Sequence, residues 1–186
     1  MISLDITSLF TNVPLIKTLN YIGEQVGKLS INIDIHTEIL NELTLRCTMN
    51  VTFKFDDTFY RQVDRVTMGS PLGPILADFF LSKLQNRPLY NLISKLSFYC
   101  RYMDYTFILC DNGSDKSTII TEFNEVHSAM KFTCEEESQD RIAFLDVLLT
   151  RKPDGSIKRN LHRKSTWTEQ YTHIFIASFL SGIKEI

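Results

Sequence analysis

The segment YCRYMDYTFIL, residues 99–109, decides how the rest of the chain reads. Two apolar-rich runs, Tyr99–Met103 and Tyr105–Leu109, flank a single acid, Asp104. The pattern predicts a β-hairpin over 97–110 with a lone carboxylate in its turn. A second acid, Asp5, ends the alternating run ISLDI (2–6), which reads as a strand. If neighbouring strands bring the two acids together, they form a paired-carboxylate site for a divalent cation. The competing reading is an aspartate that hydrogen-bonds its own turn.

Around these strands the chain predicts alternating helices and hairpins. Pro14 suits the first turn of a helix, and Leu15, Leu19, Ile22 and Val26 recur at helical spacing over 15–27. A second helix is expected over 35–47, with Ile35, Ile39, Leu43 and Cys47 (or Leu40) on its buried side. VTFKFDDTFYRQV (51–63) reads as two strands about an Asp56-Asp57 turn. Ser70 as N-cap and Pro71 as first helical residue open an apolar helix to about Gln85, interrupted by Pro88. A helix over roughly 115–130 places Ile119, Phe123, Val126 and Met130 on one face. Strands at 131–135, 142–150 and 157–163 follow, the last two joined by the turn KPDG. The order predicts an α+β fold with an antiparallel-rich sheet and helices packed on one face.

Composition narrows the function classes. The 186 residues are 44% hydrophobic and 23% charged, enough to build the core of one ordinary domain. No apolar run reaches the ~18–20 residues of a membrane span, and MISLDITSLF lacks the basic start of a signal peptide. Cys47, Cys100, Cys110 and Cys134 form no C-x-x-C pair and read as reduced, partly buried thiols of an intracellular protein, with a zinc site the disfavoured alternative. The net charge of −2 hides a strong asymmetry: residues 132–146 carry five acids against one base, and residues 151–164 six bases against Asp154. A basic segment of that density suits a phosphate backbone or a solvated surface hairpin.

Six blocks, in order, resemble the reverse transcriptase domain of Penelope-like retroelements: SLDITSLFTNVPL (3–15), YRQVDRVTMGSPLGPILADFF (60–80), RYMDYTFIL (101–109), FNEVHSAMKFTCEEE (123–137), IAFLDVLLTR (142–151) and HRKSTWTEQY (162–171). The resemblance implies the palm of a right-hand polymerase with part of the fingers. The palm core would cover about 1–150, with a basic segment toward the thumb over 151–186. It implies RNA-directed DNA synthesis with Mg²⁺ or Mn²⁺, two ions in the intact family site. RNA or DNA template, DNA primer and dNTP would be the partners; family analogy adds the nucleus as a location. Asp5 and Asp104 become the metal-binding catalytic carboxylates. Phe10 takes the place of the aromatic that excludes a ribose 2′-hydroxyl; its other reading is a core side chain. Met68 and Gly69 would approach the nascent base pair, where Gly69 also reads as an ordinary pre-helix glycine. Lys131 falls where a lysine can protonate the leaving pyrophosphate, or is a solvated strand residue. Phe144 and Leu145 lie in the block matching the hairpin that grips the primer. Arg61, Arg101, Arg163 and Lys164 read as nucleic-acid backbone contacts or as exposed basic strand residues.

The chain also departs from the family pattern. The family hairpin tip reads Tyr-Val-Asp-Asp or close to it, and here Tyr105 stands in place of the second aspartate. Arg65 replaces a usual glycine and Gln85 a usual glutamate. The tail IFIASFLSGIKEI lacks the family's His-Pro, and the expected fingers, thumb and endonuclease segments are not in this stretch. The expectation is a palm fragment from a decaying element copy. Its rival is a non-catalytic remnant that binds nucleic acid weakly; a two-carboxylate nuclease has no motif beyond Asp5 and Asp104.

Overall fold

Strand β1 (Ile2–Ile6) runs through the middle of a four-stranded antiparallel sheet and organises everything around it. The computed structural model describes residues 1–29, 34–49, 51–61, 63, 65–66, 70–110 and 116–164. After β1 come α1 (Leu9–Asn12), α2 (Leu15–Lys28) and α3 (Thr37–Met49), then the hairpin of β2 (Thr52–Phe55) and β3 (Thr58–Arg61). The helices α4 (Gly73–Asn86) and α5 (Tyr90–Ile93) lead to the hairpin of β4 (Phe98–Tyr102) and β5 (Tyr105–Leu109). Helix α6 (Lys116–Glu125), β6 (Phe132–Glu136), β7 (Arg141–Phe144), β8 (Val147–Arg151) and β9 (Ile157–Leu161) complete the order.

The main sheet has the order β4-β5-β1-β6. Period-two alternation sends Ile2, Leu4 and Ile6 of β1 to the helix-covered face, where they join Leu15, Leu19, Leu76, Phe80, Ile108 and Phe123. Each fully buried aliphatic or aromatic side chain contributes roughly 1.5–3 kcal/mol, so this layer dominates stability. The opposite face carries a smaller core of Met1, Phe107 and Ile142, with Phe144 and Leu149 packed against it. The expected one-sided helix packing is present, and the three-stranded sheet β7-β8-β9 adds partial cover to the other face.

Several sequence expectations need correction. The face of α3 is the opposite one: Ile35, Ile39, Leu43 and Cys47 are exposed, whereas Thr48 is buried and Leu40, Leu45 and Met49 are half-buried. Threonine can face inward here because its hydroxyl bonds back to the helix, Thr44 to the Leu40 carbonyl (2.8 Å) and Thr48 to the Thr44 carbonyl (2.6 Å). Helix α4 starts later than the Ser70-Pro71 signal suggests. Ser70 instead closes a turn, its carbonyl accepting from the Gly73 N–H (2.9 Å), and the proline in the first helical turn is Pro74. Helix α6 ends at Glu125, before Met130, because the Asn124 amide bonds both the N–H and the carbonyl of Phe132 and draws the chain into β6. The run 142–150 is two strands, turned at Leu145 and Asp146 with Leu145 at φ 55°.

The remaining turns follow their sequences. Asp56 and Asp57 hold φ 47° and 58°, the left-handed pair that a two-residue hairpin needs. The KPDG turn is closed by the Gly155 N–H to the Lys152 carbonyl (2.9 Å), with Gly155 at φ 82°. Cys47 and Cys100 are exposed thiols, and Cys110 and Cys134 half-buried ones. Among the described residues no helix is long and apolar enough to cross a membrane.

One ion pair ties the second sheet to the first. Arg151 at the end of β8 makes a two-pronged contact with Glu137, Nε to Oε1 at 2.9 Å and Nη2 to Oε2 at 3.0 Å. The Met1 amino group reaches the same carboxylate at 2.7 Å. Arg151 first, then the amino group, hold the Glu137 carboxyl down at about 2, against the opposing effect of its burial. A depressed folded-state pKa stabilises the fold above the unfolded value of ~4.3, and that stability is lost as pH falls toward 2. Glu137→Gln is therefore expected to destabilise the domain by roughly 1 kcal/mol at pH 7. Chemical denaturation at stepped pH should show the gap between variant and parent closing between about pH 4 and 2; a pH-independent gap would contradict this account.

Candidate functional site

The face of β1 turned away from the main core presents Ser3 and Asp5, and a cleft of about 710 Å³ opens over them. Its floor is Ser3 and Asp5 with their cross-strand neighbours: Tyr105 opposite Asp5 on β5, and Thr133 and Glu135 opposite Asp5 and Ser3 on β6. Its wall is the β7–β8 turn, with Ala143, Leu145 and Asp146, and the segment His162-Arg163-Lys164 that follows β9. The His162 N–H donates to the Asp146 carbonyl (2.7 Å), which pins that basic segment to the turn.

The hairpin tip is fastened to the end of β1. The Ile6 N–H donates to the Asp104 carbonyl (3.2 Å), which ties the turn to the residue after Asp5. Met103, the other turn residue, is held at φ 54°, a conformation that costs a non-glycine residue on the order of 1–2 kcal/mol. Arg101 secures it. Its guanidinium donates to the Met103 carbonyl (3.1 Å) and pairs with Asp78 of α4 (2.6 Å).

The electrostatics mark Asp5. Burial, then the charge of Asp104, push its carboxyl above the usual carboxylate range; the Ile6 N–H and Lys164 pull the other way, and Glu135 adds a small push upward. Opposite Asp5, the Tyr105 hydroxyl accepts a hydrogen bond from Lys164 Nζ (3.4 Å), and the same ammonium lies 5.7 Å from the centre of the tyrosine ring. Among the described residues, no group of three His, Cys, Asp or Glu side chains is placed to hold a metal ion.

The structure thus gathers Asp5, Leu145, Arg163 and Lys164 into the cleft lining, and Asp104, outside that lining, is tied by its carbonyl to the Ile6 N–H. Phe144 lies beneath, its ring 5.4 Å from that of Phe107. Lys131 is exposed at the end of the sheet, its carbonyl accepting the Thr7 N–H (2.9 Å) just past Asp5. Phe10 is half-buried against the main core. Arg61 is exposed on the separate β2–β3 hairpin, and Arg101 is engaged within the hairpin it braces. Met68 and Gly69 lie outside the described residues. Sequence reasoning missed Ser3, Thr133, Glu135, Asp146 and His162. The period-two step back from Asp5 points to Ser3, and His162 opens a block already singled out; the β6 residues become visible only once β6 is known to pair with β1.

No family model and no characterised protein matches the sequence. Solved structures do share its fold. One is a telomerase from Candida albicans in complex with a TWJ fragment of telomeric RNA, superposing with a TM-score of 0.66 at 12% identity over 96% of this chain and 33% of that one. Another is an apo telomerase from Candida tropicalis truncated from its C-terminal domain, with a TM-score of 0.60 at 13% identity over 86% and 35%. The chain therefore spans about a third of the length of these structures. The likeness shows the fold alone, an α+β palm shared with a region of these structures.

Two outcomes follow from this geometry. A raised carboxyl pKa means that the ionised form of Asp5 costs folding stability as pH rises through its folded-state value. Asp5→Asn should raise the metal-free Tm at pH 7 by roughly 1–3 °C, a gain that disappears below about pH 4 where both states are protonated. Calorimetry at the two pH values checks this, and a loss of stability at pH 7 would refute it. Arg101→Ala removes the brace from a strained turn and should cost roughly 2 kcal/mol, with Arg101→Lys recovering only part because lysine lacks the forked donor. Equilibrium denaturation of the two variants gives the comparison.

Proposed function

We propose that this chain is the palm of a retroelement reverse transcriptase of the Penelope-like kind, an RNA-directed DNA polymerase domain that holds template-primer but is weakened at its metal site. The observation that carries the reading is the placement of Asp5 on the open face of β1, beside the hairpin tip of Asp104 and facing a cleft walled by Arg163 and Lys164. The telomerase-like fold and the order of the sequence blocks are consistent with it.

The donor chemistry suits one hard divalent cation, Mg²⁺ or Mn²⁺, held by Asp5 and Asp104 with water and substrate phosphate completing the shell. An upward-shifted carboxylate beside a second acid is a pair that such a cation relieves. When bound, the ion supplies Lewis-acid polarisation of a phosphoryl oxygen. A second ion would lack its ligand, because Tyr105 offers a phenol where the resemblance implies a carboxylate, and magnesium prefers anionic oxygens and water.

The chain's own groups take the remaining roles. Arg163 and Lys164 attract the nucleic-acid backbone into the cleft. Leu145, held on the tight turn of the β7–β8 hairpin, contacts the primer end, with Phe144 anchoring that hairpin on Phe107. Phe10, the second residue of α1, excludes the 2′-hydroxyl of a ribonucleotide by bulk. Lys131, at the same end of the sheet as Asp5, gives a proton to the departing pyrophosphate of a dNTP.

The second reading, a nucleic-acid-binding domain without catalysis, is favoured by Tyr105 itself. Primer extension with Mg²⁺ or Mn²⁺ separates the two, using a chain supplied with fingers and thumb. Losing one electrostatic stabiliser typically costs ~10²–10³ in rate. The expected result is weak extension with Tyr105 and a partial recovery, about tenfold, in Tyr105→Asp. Template-primer binding that weakens with salt, with no extension in either version, would establish the non-catalytic domain instead.

A further inference from the structure

We propose that Lys164 is a tethered cation of the cleft, seated on Tyr105 beside Asp5 in the space that a divalent ion would otherwise claim. The inference rests on the reading of Asp5 and Asp104 as cation ligands and goes beyond it. Tyr105 is then more than a missing ligand. It is the seat of a competing positive charge.

The geometry supplies the argument. Tyr105 is the direct cross-strand neighbour of Asp5 on the open face of the sheet. In antiparallel pairs such neighbours sit roughly 4.5–5.5 Å apart at Cβ. The Lys164 ammonium is 3.4 Å from the Tyr105 hydroxyl and 5.7 Å from its ring centre, so the residue offers both an acceptor and a π-face. Lysine donates only, and tyrosine is one of the few neutral side chains that holds an ammonium in two ways. Lys164, Asp5 and Asp146 line the same cleft. The backbone supports the placement, because the His162 N–H bond to the Asp146 carbonyl fixes the chain two residues before Lys164.

The charge count gives the consequence. Asp5 and Asp104 contribute −2 and Lys164 +1. An arriving Mg²⁺ or Mn²⁺ therefore meets a pair whose attraction is weakened by a like charge, which it must displace or face. An aspartate placed at 105 would meet the same ammonium and pair with it. The pairing accounts for the partial recovery expected of Tyr105→Asp.

Two measurements on the full chain test the proposal. The first needs no metal: thermal denaturation of Asp5→Asn, Lys164→Met and the double variant. If Lys164 compensates Asp5, the Tm gain of Asp5→Asn will be larger in the Lys164→Met background; additive shifts would overturn the proposal. Lys164 is exposed, so its substitution is tolerated by the fold, and Lys164→Gln serves as a second, polar replacement. The second measurement is Mn²⁺ binding by titration calorimetry. Lys164→Met should bind Mn²⁺ roughly tenfold more tightly than the parent, and Lys164→Met with Tyr105→Asp more tightly than the two single effects combined. Unchanged affinity in Lys164→Met would overturn the proposal. Mn²⁺ binding that survives Asp5→Asn would instead overturn the ligand assignment, and the metal-free cycle would still decide whether Lys164 pairs with Asp5.

Discussion

The register of β1 is the constraint on which the molecule depends. Five residues, paired on both sides, serve two cores and one cleft at once. Ile2, Leu4 and Ile6 anchor the helix-covered layer, Met1 seeds the smaller core behind the sheet, and Ser3 and Asp5 are left to line the cleft. A slip of one residue would turn Asp5 into the apolar layer and expose three aliphatic side chains. Loss of that burial, several kcal/mol in all, far exceeds any cost of keeping a carboxylate on the open face. The hydrophobic core therefore dictates where the charge sits.

The cleft is assembled from local conformations that would not arise without the core. Two tight turns border it, one at Met103 and one at Leu145, each with a bulky residue at positive φ. Glycine would take either position without strain. Arg101 and the Ile6 N–H hold the first, and the Asp146 carbonyl bonded to His162 holds the second. Of the two, the Leu145 turn lines the cleft directly, and the Met103 turn is tied to the residue after Asp5.

The hairpins were legible in the sequence because each carries a local signature. Alternation over 2–6, the Asp56-Asp57 pair and the lone acid between two apolar runs predict β1, β2–β3 and β4–β5 within a residue or so. The helix boundaries were less legible. Ser70 carries a strong capping signal, but a turn uses it before the helix begins. The α3 face failed for a reason of packing: its most apolar stripe, Ile35 to Cys47, is exposed, and a threonine-containing stripe meets the core instead. At the site, Asp5 was found by residue type and strand position. Thr133 and Glu135 were not, because an acid in an acid-rich strand becomes informative only when the pairing partner of that strand is known.

The same dependence on pairing changes what Tyr105 means. In the sequence it is a departure from the pattern that the resemblance implies, one charge fewer in a hairpin. In the fold it is the neighbour of Asp5 and the support for an ammonium that arrives from 59 residues away. A carboxylate at 105 would put a third negative charge against Asp5 and Asp104, and Asp5 already sits above the usual carboxylate range. Such a cluster is tolerable only with cations present. A tyrosine there removes that requirement, fits a strand, and lets one lysine balance part of what remains. The arrangement favours a fold whose charges balance within the chain itself. That preference follows from Coulombic balance across a single pair of strands.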